Sequence, residues 1–132
     1  MKIIRNILCV FVLSIFFALS GVNADVTLGF NEISIPALNG TYQSAQMTKT
    51  RASNDYQSLY TVRMDKNIKA RLFAYYNHMF YDTWVNGIVD HDVYFNNDSE
   101  FKAPGQYRID IKAINYNVLA FKYWGFWTYD PV

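Results

Sequence analysis

From residue 26 to residue 129, apolar side chains recur at every second position in short runs, which turn residues interrupt about every 12 positions. A strand throws successive side chains to opposite faces, so this period buries one face and leaves the other in water, whereas a helix repeats every three or four residues. The chain therefore reads as all-β, a small antiparallel β-sandwich of about seven strands. No internal repeat, low-complexity stretch or linker divides it.

Leu28 to Ile35 opens the pattern and Pro36 stops it, after which Asn39-Gly40 predicts a tight turn into Thr41 to Thr50, a polar strand suited to a sheet edge. Ser53-Asn54-Asp55 is the next turn. Tyr56 to Met64 and Ile68 to Tyr76 flank the turn Asp65-Lys66-Asn67 and read as a hairpin. A second hairpin is expected where Asn86-Gly87 joins Trp84-Val85 to Ile88 to Phe95, because Asn-Gly supplies the positive φ angles of such turns. After a polar loop from Asn96 to Gly105, Tyr107, Ile109, Ile111 and Ala113 alternate with Arg108, Asp110 and Lys112. The last segment, Val118 to Tyr129, is apolar on both faces, which predicts a central strand with Gly125 at a bulge or a close backbone approach.

Residues 1–24 follow another logic. Lys2 and Arg5 precede an apolar run from Ile7 to Leu19, broken only by Ser14, and Ser20 to Ala24 is small and polar. This is the layout of a cleavable secretory signal helix, whose removal after Ala24 leaves residues 25–132 as a secreted, extracellular domain. The run falls short of the about 20 apolar residues a bilayer span needs, so no stable span is expected after cleavage. Cys9, the one cysteine, lies inside the run. The secreted domain then has no disulfide, thiolate nucleophile or cysteine metal ligand, and its core alone must hold it. The chain's 11 tyrosines, 10 phenylalanines and 3 tryptophans lose only Phe11, Phe16 and Phe17 with the signal. Each large side chain that remains and is buried contributes roughly 1.5–3 kcal/mol against the entropy of ordering.

Loss of Lys2 and Arg5 also turns the formal net charge from +1 to −1. No basic stripe is left for nucleic acid or anionic lipid, and the densest basic cluster, Lys66, Lys69 and Arg71, reads as a solvated strand edge. In Asp90-His91-Asp92, strand alternation points His91 away from both carboxylates, so the three do not converge on a metal. Asn96 to Glu100 collects oxygen donors, with Asp98 and Glu100 the residues to name if calcium binds, but without the spacing and glycine of an EF-hand loop a polar turn is the simpler reading. A serine nucleophile is not supported either, because there is no Gly-x-Ser-x-Gly run and only His78 and His91 are available as bases. No catalytic residue, metal ligand or cofactor is assigned, and no enzymatic activity is expected.

The rings are the functional lead. Tyr75, Tyr76, Phe80, Tyr81 and Trp84 cluster, as do Tyr123, Trp124, Phe126, Trp127 and Tyr129. Rings beyond those a small core can hide suit sugar stacking or an interface. The candidate binding residues are Tyr81, Trp84, Trp124 and Trp127.

Pro104-Gly105-Gln106-Tyr107 resembles the penultimate strand of immunoglobulin-like domains, where a tyrosine after a glycine turn bonds back to the backbone. Ile33-Ser34-Ile35-Pro36, Asn39-Gly40-Thr41-Tyr42, Thr48-Lys49-Thr50 and the terminal Gly125-Phe126-Trp127-Thr128-Tyr129-Asp130-Pro131 together resemble small secreted β proteins of Gram-positive bacteria, a group that includes lactococcin-like bacteriocin relatives. The resemblance implies a secreted β domain and carries over no catalytic residue. The expectation is a non-enzymatic protein that binds a cell surface, bacteriocin-like or a competition factor. The alternatives are a stand-alone carbohydrate-binding module and a small inhibitor presenting the Asn96–Gly105 loop.

Overall fold

The computed structural model describes residues 25–52, 56–75, 80–95 and 99–131. The signal segment, the turn Ser53-Asn54-Asp55, residues 76–79 with His78, and Asn96 to Asp98 lie outside the described residues.

Among the described residues ten strands form: β1 (Val26–Ile35), β2 (Tyr42–Gln43), β3 (Met47–Lys49), β4 (Gln57–Met64), β5 (Ile68–Tyr75), β6 (Phe80–Tyr81), β7 (Val85–Asn86), β8 (Asp92–Phe95), β9 (Gly105–Ala113) and β10 (Phe121–Asp130). They make two antiparallel sheets, the first a four-stranded sheet in the order β1-β10-β4-β8. The second has β9 and β5 at its centre, with β2 and β3 beyond β9, and β6 and β7 beyond β5. The architecture is all-β, as the alternation requires. The polar Thr41–Thr50 stretch does lie at an edge, but as two short pieces, β2 and β3.

The core sits between the sheets. Ile68, Ala70, Leu72 and Ala74 of β5 and Tyr107, Ile109, Ile111 and Ala113 of β9 face Phe121, Tyr123 and Trp127 of β10. Two buried tyrosine hydroxyls are paired. The Tyr123 hydroxyl lies 2.9 Å from Thr61 Oγ1, and burial pushes its pKa up to about 12. Tyr107 donates its hydroxyl to the Ala103 carbonyl at 2.6 Å, the backbone bond expected of a tyrosine after a glycine turn.

Both expected hairpins are corrected. β4 belongs to the first sheet and β5 to the second, so Asp65-Lys66-Asn67 carries the chain between sheets. Likewise β7 pairs with β5 while β8 pairs with β4, and Asn86-Gly87 leads into a crossing. Local sequence favours a turn there, but burial of two different inner faces decides the partners. Gly87 sits in a tight space: a Cβ on it would come within 2.6 Å of Ile68 Cδ1, so the buried Ile68 side chain would have to shift. The left-handed residue of this connection is Asp90 (φ 62°), in the turn that His91 N closes onto the Ile88 carbonyl at 3.2 Å. The first tight turn is also shifted. Leu38 (φ 59°) and Asn39 (φ 56°) are its left-handed central residues, and Gly40 N closes it onto the Ala37 carbonyl at 3.0 Å.

Gly125 behaves as its position predicts. The pairing of β10 with β4 shifts between Trp124 and Gly125, and the β1–β10 pairing shifts between Phe30 and Ile33. A Cβ on Gly125 would stand 2.5 Å from the Tyr60 carbonyl oxygen and press on the Tyr123 hydroxyl. Because one of those neighbours is backbone, Gly125→Ala is expected to destabilise the fold by about 1–3 kcal/mol, read by chemical denaturation.

Candidate functional site

The outer face of the second sheet carries the densest charge and ring assembly. β5 is an interior strand there, between β9 and β6/β7, so its basic residues are not the solvated edge that sequence suggested. Register sets Lys69 directly opposite Lys112, Arg71 opposite Asp110, and Phe73 opposite Arg108. Lys69 and Arg71 thereby join Arg108 and Lys112, which lie about 40 residues away in sequence and were invisible as a cluster.

Rings and one carboxylate hold the cations in place. The Arg71 guanidinium lies between two rings, 3.8 Å from the Tyr81 centroid and 4.4 Å from that of Trp84. Arg108 Nε donates to Asp110 at 2.8 Å, and its Nη1 donates to the Tyr75 hydroxyl at 3.1 Å. The Asp110 bond raises the Arg108 pKa still further, so this cation is permanent. Lys69 and Lys112 differ. Each ammonium is about 5.5 Å from the Trp84 ring, and no carboxylate among the described residues pairs with either. Like charges directly opposite one another in a sheet are destabilising.

Sequence-selected residues thus separate. Tyr81 and Trp84 meet on this face, with Tyr81 49% exposed and Trp84 half-buried. Trp124 lies on the outer face of the other sheet, under the Arg63 guanidinium at 4.5 Å. Trp127 is a correction: it is 0% exposed, with its indole N–H donated to Gln57 Oε1 at 3.1 Å, and it offers no surface to a ligand. It is three residues from Trp124, so the two must face opposite sides of β10.

The outer face of the first sheet keeps uncovered rings, Tyr94 and Phe126, beside an open groove of about 460 Å³ lined by Tyr56, Ser58, Asp92 and Thr128 among others. Asp90 occupies a turn rather than a strand, so the alternation argument against a metal at Asp90-His91-Asp92 does not apply as framed; His91 Nδ1 instead lies 2.9 Å from the Val89 carbonyl oxygen. Among the described residues no three metal-ligating side chains converge. Glu100 falls in a 3₁₀ turn, Ser99–Lys102, while Asp98 is outside the described residues. No helix among the described residues is long and apolar enough to cross a membrane.

No protein-family model matches the chain, and no curated protein or solved structure matches it.

Proposed function

We propose that this is a secreted, non-enzymatic binding protein that attaches to an anionic surface through the outer face of its second sheet. The observation that carries the reading is the opposed pair Lys69 and Lys112, two cations without a carboxylate beside Arg71 and Arg108. Tyr81, Trp84 and Tyr75 fix the two arginines, so fewer side-chain rotamers remain to be frozen when an anion arrives. With the rings of Trp84 and Trp124 already facing guanidinium groups, their part is to position cations rather than to stack on sugars. The resemblance of the terminal Gly125–Pro131 segment to secreted bacterial proteins supports a role in competition at a cell surface.

Binding to intact cells and to immobilised dextran sulfate tests this. Retention should fall steeply with salt, since exposed charges are screened beyond about 8 Å at physiological ionic strength. The double variant Lys69→Ala/Lys112→Ala should bind about 30-fold more weakly, at roughly 1 kcal/mol per cation, with its melting temperature maintained. Salt-independent retention, or full retention by the double variant, would sink the reading. Growth inhibition of related strains, measured on the same preparations, separates a toxin from a plain adhesin.

Carbohydrate binding has its own supporting observation, the uncovered Tyr94 and Phe126 beside the hydroxyl-lined groove of the first sheet. A neutral polysaccharide in place of dextran sulfate distinguishes the two readings. Retention on the neutral polymer that survives high salt favours the groove.

A further inference from the structure

The most exposed large apolar side chains gather at one end of the sandwich. β1 ends where β10 begins, with Ile35 opposite Phe121, and the end of β9 lies beside the start of β5, with Ala113 opposite Ile68. The loops 36–41 and 114–120 leave from this end and are tied together by the buried Asn117. Leu38 N donates to the Asn117 carbonyl at 2.6 Å, Asn39 N to its Oδ1 at 2.9 Å, and its Nδ2 donates to the Pro36 carbonyl at 2.9 Å. That clamp brings Leu38 together with Tyr116, Val118 and Leu119, which are 62 to 72% exposed.

Three features say what covers them. Neither loop contains a charged residue, which is unusual for surface loops and removes the penalty of desolvating an ion on entering an apolar medium. Leu38 is held at φ 59°, a conformation that disfavours a bulky residue and that Asn or Gly would adopt with less strain, and this strained position presents an exposed leucine side chain. Cations outnumber acids around the tip: Lys66 borders Tyr116 beside Asp65, whose carboxylate Arg63 already pairs at 3.2 Å, Lys122 is the second residue of β10, and the opposed Lys69 and Lys112 lie one residue inside the strand ends. Apolar tips with an interfacial tyrosine and lysines set back from them match an anionic lipid bilayer, with headgroups for the lysines and the acyl boundary for the leucines and valine.

We infer that this end of the sandwich inserts shallowly into anionic membranes, through Leu38, Val118 and Leu119. The inference rests on the anionic-surface reading and names the surface as lipid.

The test is co-sedimentation of the protein with vesicles of phosphatidylcholine containing 30 mol% phosphatidylglycerol, with pure phosphatidylcholine vesicles and soluble dextran sulfate as the other arms. Wild type should bind the mixed vesicles at least tenfold more tightly than the pure ones. Leu38→Asn/Leu119→Asn should lose at least tenfold on mixed vesicles yet keep wild-type affinity for dextran sulfate. Leu38→Asn alone should raise the melting temperature while weakening vesicle binding, an outcome that loss of folding cannot mimic. Undiminished vesicle binding by the double variant overturns the inference. So does dextran sulfate binding without vesicle binding, which leaves the anionic-surface reading standing, whereas loss of both removes the two together. A dimeric wild type that becomes monomeric on Leu119→Asn would assign the patch to a second copy of the chain and also overturn it.

Discussion

Replacing Asp130 by alanine is expected to lower the stability of the fold by about 3–5 kcal/mol, because it strands a buried lysine without its counter-charge. Lys49 of β3, with its side chain fully buried, donates to Asp130 Oδ1 of β10 at 3.3 Å, linking the two sheets across the end of the sandwich. The carboxylate also accepts Thr50 Oγ1 at 2.7 Å, Thr50 N at 3.2 Å and Arg51 N at 3.3 Å, and Arg51 returns a bond to the Asp130 carbonyl at 2.7 Å. In a double-mutant cycle, Lys49→Met should cost far less in the Asp130→Ala background than in wild type, since the charge it removes is then already unpaired. Equal costs in both backgrounds would show that the pair is not coupled.

The same clamp sets an acid limit. Burial by itself raises the Asp130 carboxyl, but the bonds from Thr50 and Lys49 outweigh it and hold the pKa below the ordinary 3.8. Its folded value is depressed, so its contribution is complete above about pH 4 and is lost as pH falls through the folded pKa. The stability gap between wild type and Asp130→Asn should therefore narrow as pH is lowered from about 5 to about 2 in denaturant titrations. Burial meanwhile pulls the Lys49 ammonium below its usual range, against the opposing bond to Asp130.

Trp127→Ala should be comparably damaging, at about 3–5 kcal/mol, and should leave ligand binding by the folded fraction unchanged. The ring is fully enclosed and packs 5.4 Å from Tyr129, and its N–H holds Gln57, whose own amide donates to the Phe101 carbonyl at 2.9 Å. The substitution opens a large cavity and breaks a chain of bonds joining β10, β4 and the 3₁₀ turn. Denaturation in urea reads the loss, and retention on dextran sulfate below the variant's lower melting temperature reads binding. Weakened retention while the protein is still folded would return Trp127 to the list of ligand contacts.

These two residues also mark how far the sequence could be read. The alternation along β10 placed Trp127 with Tyr123 and Tyr129 on one face and Trp124 with Phe126 on the other, but could not say which face was inside. Packing of the first sheet against β5 and β9 of the second decided that. Asp130 gave no local signal at all, since its partner Lys49 is 81 residues away and becomes one only when the sheets stack. The cation cluster of the second sheet is a similar case, because two strands contribute its halves and their register aligns them. Asn86-Gly87 and Asp65-Lys66-Asn67 misled for the converse reason: turn chemistry is local, while the choice between closing a hairpin and crossing to the other sheet depends on what the next strand can bury.

By itself the sequence determined the all-β class, the two-residue rhythm of the long strands and the tight fit at Gly125, consequences of chemistry within a few residues of each position. The ten strands that form among the described residues, in place of about seven, include short pieces that it did not mark. Tertiary structure alone decided which sheet each strand joined, that Trp127 is core while Tyr81 and Trp84 position arginines, and that Leu38 meets Val118 and Leu119 at one uncharged tip. These outcomes require residues tens of positions apart to be brought together, and only the packing of one sheet on the other does that.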